Sequence, residues 1–210
     1  MDLEVEKYDP VHHIGLYQFP DSVSDGLMEW YEAADNKSEG KTKDADGNAG
    51  KVFKKSTDVT VQRPERSHTA IANYLDCLNS VLQDYYNMFP SSGAPGAWKL
   101  DIVENFNIQR YQPGEGFFQW HYERQPVKPG SDRVLVFMTY LNDVEEAGTH
   151  FMYQNTTTEC KKGLTAIWPA DWTYTHKGQI SKEHEKTIIT GWISYTGEVN
   201  ELPRYDTNNK

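Results

Sequence analysis

The chain has 210 residues, of which 37% are hydrophobic and 25% are charged, and its formal net charge is −10. This length suffices for one domain with a sizeable core, and the composition is that of a soluble globular protein. No run of about 18 apolar residues is present, so no membrane partner is expected, and an acidic chain without a basic stripe is not expected to bind nucleic acid.

The start of the chain bears on its compartment. The segment MDLEVEKYDP is acidic and lacks the apolar stretch of a secretory signal, which predicts a cytoplasmic protein. The two cysteines, Cys77 and Cys160, form neither a metal-type CxxC pair nor a disulfide framework, in keeping with a reducing environment.

Two helices are predicted in the N-terminal half. Apolar residues follow helical spacing after Asp21 and Ser22, and a longer amphipathic stretch follows Ser67 and stops at Pro90. Between the helices, residues 35–50 are polar and contain glycine, which predicts a loop, with a substrate lid as the functional alternative. Residues 52–62 are compatible with a strand.

From residue 98 onward, short β-like runs alternate with turn residues. Such spacing predicts a sandwich or barrel rather than a parallel α/β sheet. The fold class is therefore mainly β with flanking helices (α+β) in one domain over residues 1–210. Residues 1–97 are expected to supply helical support, residues 98–196 the β core, and residues 197–210 a polar tail. The predicted strands span residues 102–111, 116–123, 133–141, 149–153, 164–168 and 186–195.

A metal site is predicted at His121, Glu123 and His176. Residues two apart in a strand point to the same face, so His121 and Glu123 can converge on one ion while Tyr122 points away. Two imidazoles and one carboxylate on one face of an octahedral metal leave open positions, as in non-haem Fe(II) oxygenases. An His-x-Glu pair also occurs by chance on surface strands, so this interpretation depends on the residues around it.

Three residues at fixed spacings support the metal interpretation. Lys186 lies ten residues after His176 and opens an apolar strand, where a buried ammonium would need an anion. Tyr111 precedes Gln-Pro-Gly, and Tyr140 closes the central apolar strand; a phenol can donate a hydrogen bond to a carboxylate while its ring lines a pocket. An exposed strand start and ordinary core packing are the structural alternatives.

Taken together, these segments resemble the prolyl 4-hydroxylase-like family of Fe(II)/2-oxoglutarate-dependent dioxygenases. The stretch RYQPGEGFFQWHYE is similar to the family segment that carries the first histidine and the acid. The strand VLVFMTYLND, the segment AGTHF, the stretch LTAIWPADWTYTHKG and the strand EKTIITGWISY resemble the segments that follow it. The resemblance covers residues 104–195, and it implies a double-stranded β-helix, or jelly roll.

The resemblance implies roles for individual residues. His121 and His176 match the iron-binding histidines, and Glu123 stands where the family usually has aspartate. The residues that match the 2-oxoglutarate pocket are Lys186 as the anchor, Tyr140, Tyr111 and Thr149.

The function implied is hydroxylation of a C–H bond coupled to decarboxylation of 2-oxoglutarate to succinate. The expected cofactors are Fe(II), 2-oxoglutarate and O2, with ascorbate as a candidate reductant. The favoured substrate is a proline-containing peptide or protein hydroxylated at C4. Trp120, Arg124, Trp172 and the 35–50 loop are candidates for the substrate rim.

Several alternatives stay open at this point. One is a dioxygenase acting on a free amino acid or another small molecule. Another is a non-enzymatic, cupin-like jelly-roll binding module, and a third is a zinc hydrolase with two histidines and one glutamate. A nucleic-acid demethylase is disfavoured because the chain lacks a basic surface and has Lys186 where those enzymes usually use arginine.

Overall fold

The computed structural model describes residues 4–9, 12–40, 53–93 and 98–199, and this part of the chain is mostly β with two α-helices. The strands are β1 Glu4–Asp9, β2 Ile14–Gln18, β3 Ser38–Glu39, β4 Lys54–Lys55, β5 Thr57–Val61, β6 Trp98–Asp101, β7 Phe106–Tyr111, β8 Gly116–Phe117, β9 Arg133–Tyr140, β10 Thr149–Phe151, β11 Thr156–Thr157, β12 Leu164–Pro169, β13 His176–Gly178 and β14 Lys186–Val199. The helices are α1 Asp21–Ala33 and α2 Thr69–Met88.

The principal element is a nine-stranded sheet in the order β1-β2-β12-β9-β14-β7-β5-β3, with β6 paired to β14. Every pair in it is antiparallel. A three-stranded sheet (β11-β10-β13) and a two-stranded sheet (β4-β8) accompany it. These antiparallel sheets and the two helices confirm the predicted mainly β class with flanking helices.

Strict alternation along β9 separates two hydrophobic cores. Leu135 and Phe137 belong to the core that also contains the helices, whereas Val136, Met138 and Tyr140 belong to a second core. Successive side chains of a strand point to opposite faces. The central sheet is therefore apolar on both sides, and each side has its own covering layer.

Helix α2 covers one face of the large sheet, as its periodicity predicted. Ile71, Leu78, Leu82 and Tyr85 are all buried in the helix-side core, and the helix ends at Met88, just before Pro90. Fully burying one such aliphatic side chain stabilises the fold by roughly 1.5–3 kcal/mol. The packing of α2 thus covers one face of the large sheet, and the opposite face remains for the strands of the smaller sheets.

The opposite face of the large sheet meets β10 and β13. Phe151 of β10 and Tyr174, just before β13, lie in the second core beside Trp168 of β12. Strands β10 and β13 pair antiparallel, with Phe151 opposite His176. The second core therefore lies between two β layers, and polar side chains border it at one end.

The N-terminal part differs from the prediction in one respect. Residues 1–97 supply strands as well as helices, because β2 pairs with β12 and β5 pairs with β7 in the large sheet. Residues 52–62, which were compatible with a strand, contain β4 and β5, whereas β2 was not predicted. The assignment of all 210 residues to one domain stays a prediction.

Two predicted boundaries also change. Within the predicted 35–50 loop, β3 pairs with β5, and the rest of that loop from residue 41 lies outside the described residues. Strand β14 continues to Val199, beyond the expected end of the core at residue 196. Residues 200–210 of the predicted tail are outside the described part of the chain. No helix of the described residues is both long and apolar enough to cross a membrane.

Candidate active site

A cavity of about 380 Å³ lies between the two β layers. Its walls come from β7, β9, β12 and β14 of the large sheet and from β10 and β13 of the small one, and the segment after β8 closes it. His121, Glu123 and His176 line it together with Lys186. The structure therefore brings the predicted metal residues and the predicted anchor lysine into one space.

Backbone pairing sets the two histidines side by side. The amide of His121 donates to the carbonyl of His176 over 3.1 Å, and the amide of His176 donates back over 2.8 Å. The ring of Phe117 stacks on the imidazole of His121 with centroids 3.7 Å apart. The site is thus built where the β8 segment and β13 meet, which restricts the orientation of both rings.

The three side chains converge as the His-x-Glu spacing predicted. Nε2 of His121 lies 3.5 Å from Oε1 of Glu123, and Nε2 of His176 lies 3.7 Å from the same oxygen. One ligand atom from each residue falls within 4.8 Å of the others. Such a triangle of two nitrogens and one oxygen can hold a metal ion.

Each histidine has its tautomer fixed by the backbone. Nδ1 of His121 faces the carbonyl of Gln119 at 3.0 Å, and Nδ1 of His176 faces the carbonyl of Tyr174 at 2.9 Å. A carbonyl only accepts, so Nδ1 carries the proton and donates, and the lone pair is left on Nε2. Both Nε2 atoms are then ready to bind a metal ion.

The protonation states of Glu123 and His176 also favour metal binding. Burial raises the pKa of Glu123, but the positive charge that His121, His176 and Arg133 can bring beside it outweighs burial and lowers that pKa to about 2. Burial, followed by the nearby His121, lowers the pKa of His176 to about 4. At neutral pH the site therefore presents a carboxylate and a neutral imidazole of His176, which are the forms that ligate metals.

A second set of residues holds Glu123 in place. Nε1 of Trp192 donates to its Oε2 over 2.9 Å, and Arg133 lies 3.4 Å from the same oxygen. Arg133 also stacks on Trp192 at 3.5 Å and is paired with Glu104 through contacts of 2.8 and 2.7 Å. The sequence analysis assigned no role to Glu104, Arg133 or Trp192, although an arginine that opens an apolar strand was a usable signal.

This arrangement fits an Fe(II) ion. Imidazole nitrogens and a carboxylate oxygen are suitable ligands for Fe(II), and two histidines with one carboxylate on one side leave other positions open. Glu123 is one methylene longer than the aspartate expected at this position, and its Oε1 still lies between the two Nε2 atoms while Oε2 is tied to Trp192.

Lys186 is buried in the cavity wall with an uncompensated charge. Its Nζ donates to the carbonyls of Ala147 at 2.9 Å and Gln179 at 2.7 Å, and no carboxylate pairs with it in the described ranges. It lies 5.7 Å from the ring centroid of Tyr111. Burial lowers the pKa of Lys186 to about 8. A buried ammonium of this kind favours an anion, so a carboxylate of 2-oxoglutarate fits.

The other predicted pocket residues line the same cavity but have internal partners. The Tyr111 hydroxyl donates to Oε1 of Gln109 at 2.6 Å. The Tyr140 hydroxyl lies 2.7 Å from the Oγ1 atoms of both Thr149 and Thr158. Contact of Tyr111, Tyr140 and Thr149 with a co-substrate stays a prediction, and Thr158 is a partner that the sequence analysis missed.

The three candidates for the substrate rim lie elsewhere. Trp120, Arg124 and Trp172 do not contribute to the cavity lining, whereas Tyr122 and Gln125 do. Arg124 donates to the carbonyl of Arg133 at 2.9 Å, which is a structural contact. Trp120 and Trp172 are 44% and 60% exposed, so their role at a wider substrate surface stays a prediction.

Comparison with known families and folds agrees with this site. Residues 106–194 match the model of the 2OG-Fe(II) oxygenase superfamily. No protein of curated function matches the sequence. The matched segment begins at β7 and ends within β14, so it contains the two histidines, Glu123 and Lys186. The match confirms the family resemblance read from the motifs.

Solved structures confirm the predicted jelly roll. A viral collagen prolyl hydroxylase from Paramecium Bursaria Chlorella virus-1 is 20% identical with a TM-score of 0.61, covering 86% of this chain and 95% of its own. A prolyl-4-hydroxylase from Pseudomonas putida is 15% identical with a TM-score of 0.64, covering 89% and 94%. A prolyl hydroxylase from Trichoplax adhaerens, bound to a hypoxia inducible factor peptide fragment, is 14% identical with a TM-score of 0.66, covering 87% and 84%.

Proposed function

We propose that this chain, whose residues 106–194 match the 2OG-Fe(II) oxygenase superfamily, hydroxylates a prolyl residue of a peptide at C4. The match and the structural neighbours support a 2-oxoglutarate-dependent dioxygenase that uses Fe(II) and 2-oxoglutarate. The proposal concerns the roles of individual residues and the substrate. The observation that carries it is the joint presence, in one cavity, of the His121–Glu123–His176 triangle and the unpaired ammonium of Lys186.

His121, Glu123 and His176 would hold the iron through two Nε2 atoms and Oε1. The iron supplies, with O2, the hydroxylation of a C–H bond coupled to decarboxylation of 2-oxoglutarate to succinate. The protein's own contribution is positioning. Backbone carbonyls fix both imidazole tautomers, and Trp192 restrains the second oxygen of Glu123, so the three ligand atoms are oriented in advance.

Lys186 would anchor the distal carboxylate of 2-oxoglutarate. Its ammonium reaches two carbonyls and has one donor left for an anion. A charge-assisted hydrogen bond is short and about twice as strong as a neutral one. Tyr140, Thr149 and Tyr111, which line the same cavity, would shape the pocket around the carboxylate.

The prolyl substrate is supported by the structural neighbours. These neighbours are prolyl hydroxylases, and one of them holds a peptide fragment. Identities of 14–20% carry the fold alone, so the substrate needs a direct test. O2 consumption and stimulation by ascorbate are further expectations of this function.

The test is succinate release from 2-oxoglutarate by the purified protein with a panel of proline-containing peptides. We expect turnover that needs Fe(II) and O2 and adds the mass of one oxygen atom to a prolyl residue. His176→Ala should abolish it, whereas His184→Ala, at an exposed histidine, should not. Turnover that survives in His176→Ala would refute the metal assignment. Succinate release with a small molecule but with none of the peptides would refute the prolyl substrate.

A further inference from the structure

The cavity has a polar wall that the proposed roles leave unused. It lies on the β5–β7 side, where Asp58 is paired across the strands with Gln109, and Gln109 in turn with Ile188. Tyr140 follows on the far side of Ile188. Lys54 and Asn107 complete this wall, and all of these residues line the cavity.

Lys54 carries donors that no described residue uses. Its Nζ lies 2.6 Å from Oδ2 of Asp58, whose Oδ1 accepts from the Ser56 hydroxyl at 2.7 Å. The Lys54 side chain is only 6% exposed, and Asp58 is its one partner among the described residues. An ammonium has three N–H donors, so two remain next to the cavity. Leaving such donors buried without a partner is costly, which points to a ligand.

Asn107 and Gln109 also carry side-chain donors that no described residue uses. The side-chain oxygen of Asn107 accepts from the Thr60 hydroxyl at 2.7 Å, and that of Gln109 accepts from the Tyr111 hydroxyl at 2.6 Å. In both cases the acceptor is occupied and the NH2 group has no partner in the described part of the chain. The side chains alternate with Phe106 and Ile108 along β7, so both amides face the cavity.

The wall therefore offers unpartnered donors, whereas each of its side-chain oxygens already accepts one hydrogen bond. Asp58 is neutralised by Lys54 and bonded to Ser56. A ligand that fits such a wall has acceptor oxygens and few N–H groups. A prolyl residue within a peptide has this character, because its nitrogen carries no hydrogen while its own carbonyl and the preceding one both accept.

We propose that Lys54, Asn107 and Gln109 form a carbonyl-binding subsite for the substrate's backbone beside the target proline, with Asp58 as the positioning residue for Lys54. This inference rests on the proposed function and deepens it, because it assigns residues that select a prolyl segment. A residue other than proline would bring an N–H toward a wall whose unpartnered groups are donors and whose side-chain oxygens each already accept one hydrogen bond.

Isosteric substitutions test the subsite on the complete chain with Fe(II) bound. Asn107→Asp and Gln109→Glu keep the accepted hydrogen bonds but replace each NH2 donor by an oxygen. We expect each to raise the KM for the prolyl peptide by about tenfold or more, the effect of one lost and repelled hydrogen bond, with kcat changed much less. Gln83→Glu, on the exposed side of α2, is the matched control and should leave KM unchanged.

A substrate-side change keeps the test independent of protein folding. Sulfur is a weaker acceptor than oxygen, so a peptide with a thioamide at the prolyl carbonyl should lose affinity for the wild type. The same change should cost less in Gln109→Glu or in the charge-neutral pair Lys54→Met/Asp58→Asn, as in a double-mutant cycle. Equal losses in all three proteins would overturn the subsite.

The remaining outcomes separate the two proposals. An unchanged peptide KM in both isosteric variants overturns the subsite while the prolyl function stands. A weakened dissociation constant for 2-oxoglutarate with an unchanged peptide KM also overturns it, because the donors then serve the co-substrate. If the wild type turns over no prolyl peptide, the proposed function fails before any variant is made, and the subsite fails with it.

Discussion

Replacing Lys186 by methionine should separate the stability of this fold from its function. The side chain is 6% exposed, and burial lowers the pKa of its ammonium to about 8 from an ordinary 10.5. Methionine has a similar length and flexibility but no charge. The variant therefore removes an ammonium that the described residues satisfy only with carbonyl groups.

The pKa difference sets the size of the effect. The folded state loses its proton near pH 8 and the unfolded state near pH 10.5, so between these values the unfolded chain binds more protons. Stability of the wild type then rises with pH. At 1.36 kcal/mol per pKa unit, this gain is about 2.5 kcal/mol between pH 7 and pH 10. Because methionine does not titrate, Lys186→Met cannot show this gain in stability with pH.

Denaturant unfolding of the metal-free protein, followed by tryptophan fluorescence, measures the difference. At pH 7 the loss of two hydrogen bonds costs about 1 kcal/mol each and offsets most of the benefit of removing the charge, so the two proteins should be of similar stability. At pH 10 the wild type should be the more stable by about 2 kcal/mol. Lys182→Met, at an exposed lysine, controls for general effects of pH.

Although Lys186→Met should change stability little at pH 7, it should clearly weaken the binding of 2-oxoglutarate. Loss of a hydrogen bond to a charged group costs about 1.5–3 kcal/mol, which weakens binding by roughly 10- to 150-fold. Calorimetry with Mn(II) in place of Fe(II) avoids turnover. A stability difference that does not vary with pH would refute the lowered pKa, and unchanged binding of 2-oxoglutarate would refute the anchor role.

Three further predictions concern the site and its frame. Trp192→Phe removes the donor to Glu123 and should weaken metal binding about tenfold in a Mn(II) titration; unchanged affinity would contradict the orienting role. Gly148→Ala would drive a Cβ into the carbonyl oxygen of Thr158 and should cost about 2–3 kcal/mol of unfolding free energy, whereas Gly26→Ala, whose Cβ would meet only ordinary contact at 3.6 Å, should cost nothing or stabilise helix α1. Saturation with metal at one hundred times its dissociation constant should stabilise the wild type by about 2.7 kcal/mol, measured by thermal unfolding, and should not stabilise His176→Ala.

The sequence predicted the positions of the candidate ligands His121 and Glu123 and of Lys186 because two short-range rules apply to them. The spacing of His121 and Glu123 would place both on one face of a strand, whereas the structure brings them together in an irregular segment after β8, where Tyr122 also lines the cavity. The position of Lys186 at the start of an apolar strand indicated a buried charge. The family motifs supplied the link to His176, which no local rule could give, since the pairing of His121 with His176 joins distant parts of the chain.

The residues that support these candidate ligands could not be assigned in the same way. Arg133 contacts Glu104, Glu123 and Trp192 at once, and such convergence depends on strand register. Register follows from how whole strands pair and not from any one segment. Asn107 and Gln109 alternate with apolar neighbours along β7, but only the sheet order shows that their face meets the cavity.

Strand β2 was missed for a related reason. Residues 52–62 were compatible with a strand and contain β5, but β2 gains its place by pairing with β12, roughly 150 residues later in the sequence. Helix α2 was predictable because its twenty residues carry a sustained apolar stripe. Long local patterns were therefore visible in the sequence, and long-range pairings were not.

The position of β14 has a consequence for how the protein is made. This strand is the last one described, yet it lies between β9 and β7 in the middle of the large sheet. During synthesis from the N-terminus, β7 and β9 emerge with the space between them unfilled, and their inner edges stay unpaired until β14 leaves the ribosome. Nascent chains of this topology expose aggregation-prone strand edges from the synthesis of β7 until that of β14. We therefore expect nascent chains halted before residue 186 to bind chaperones and full-length chains to be released from them.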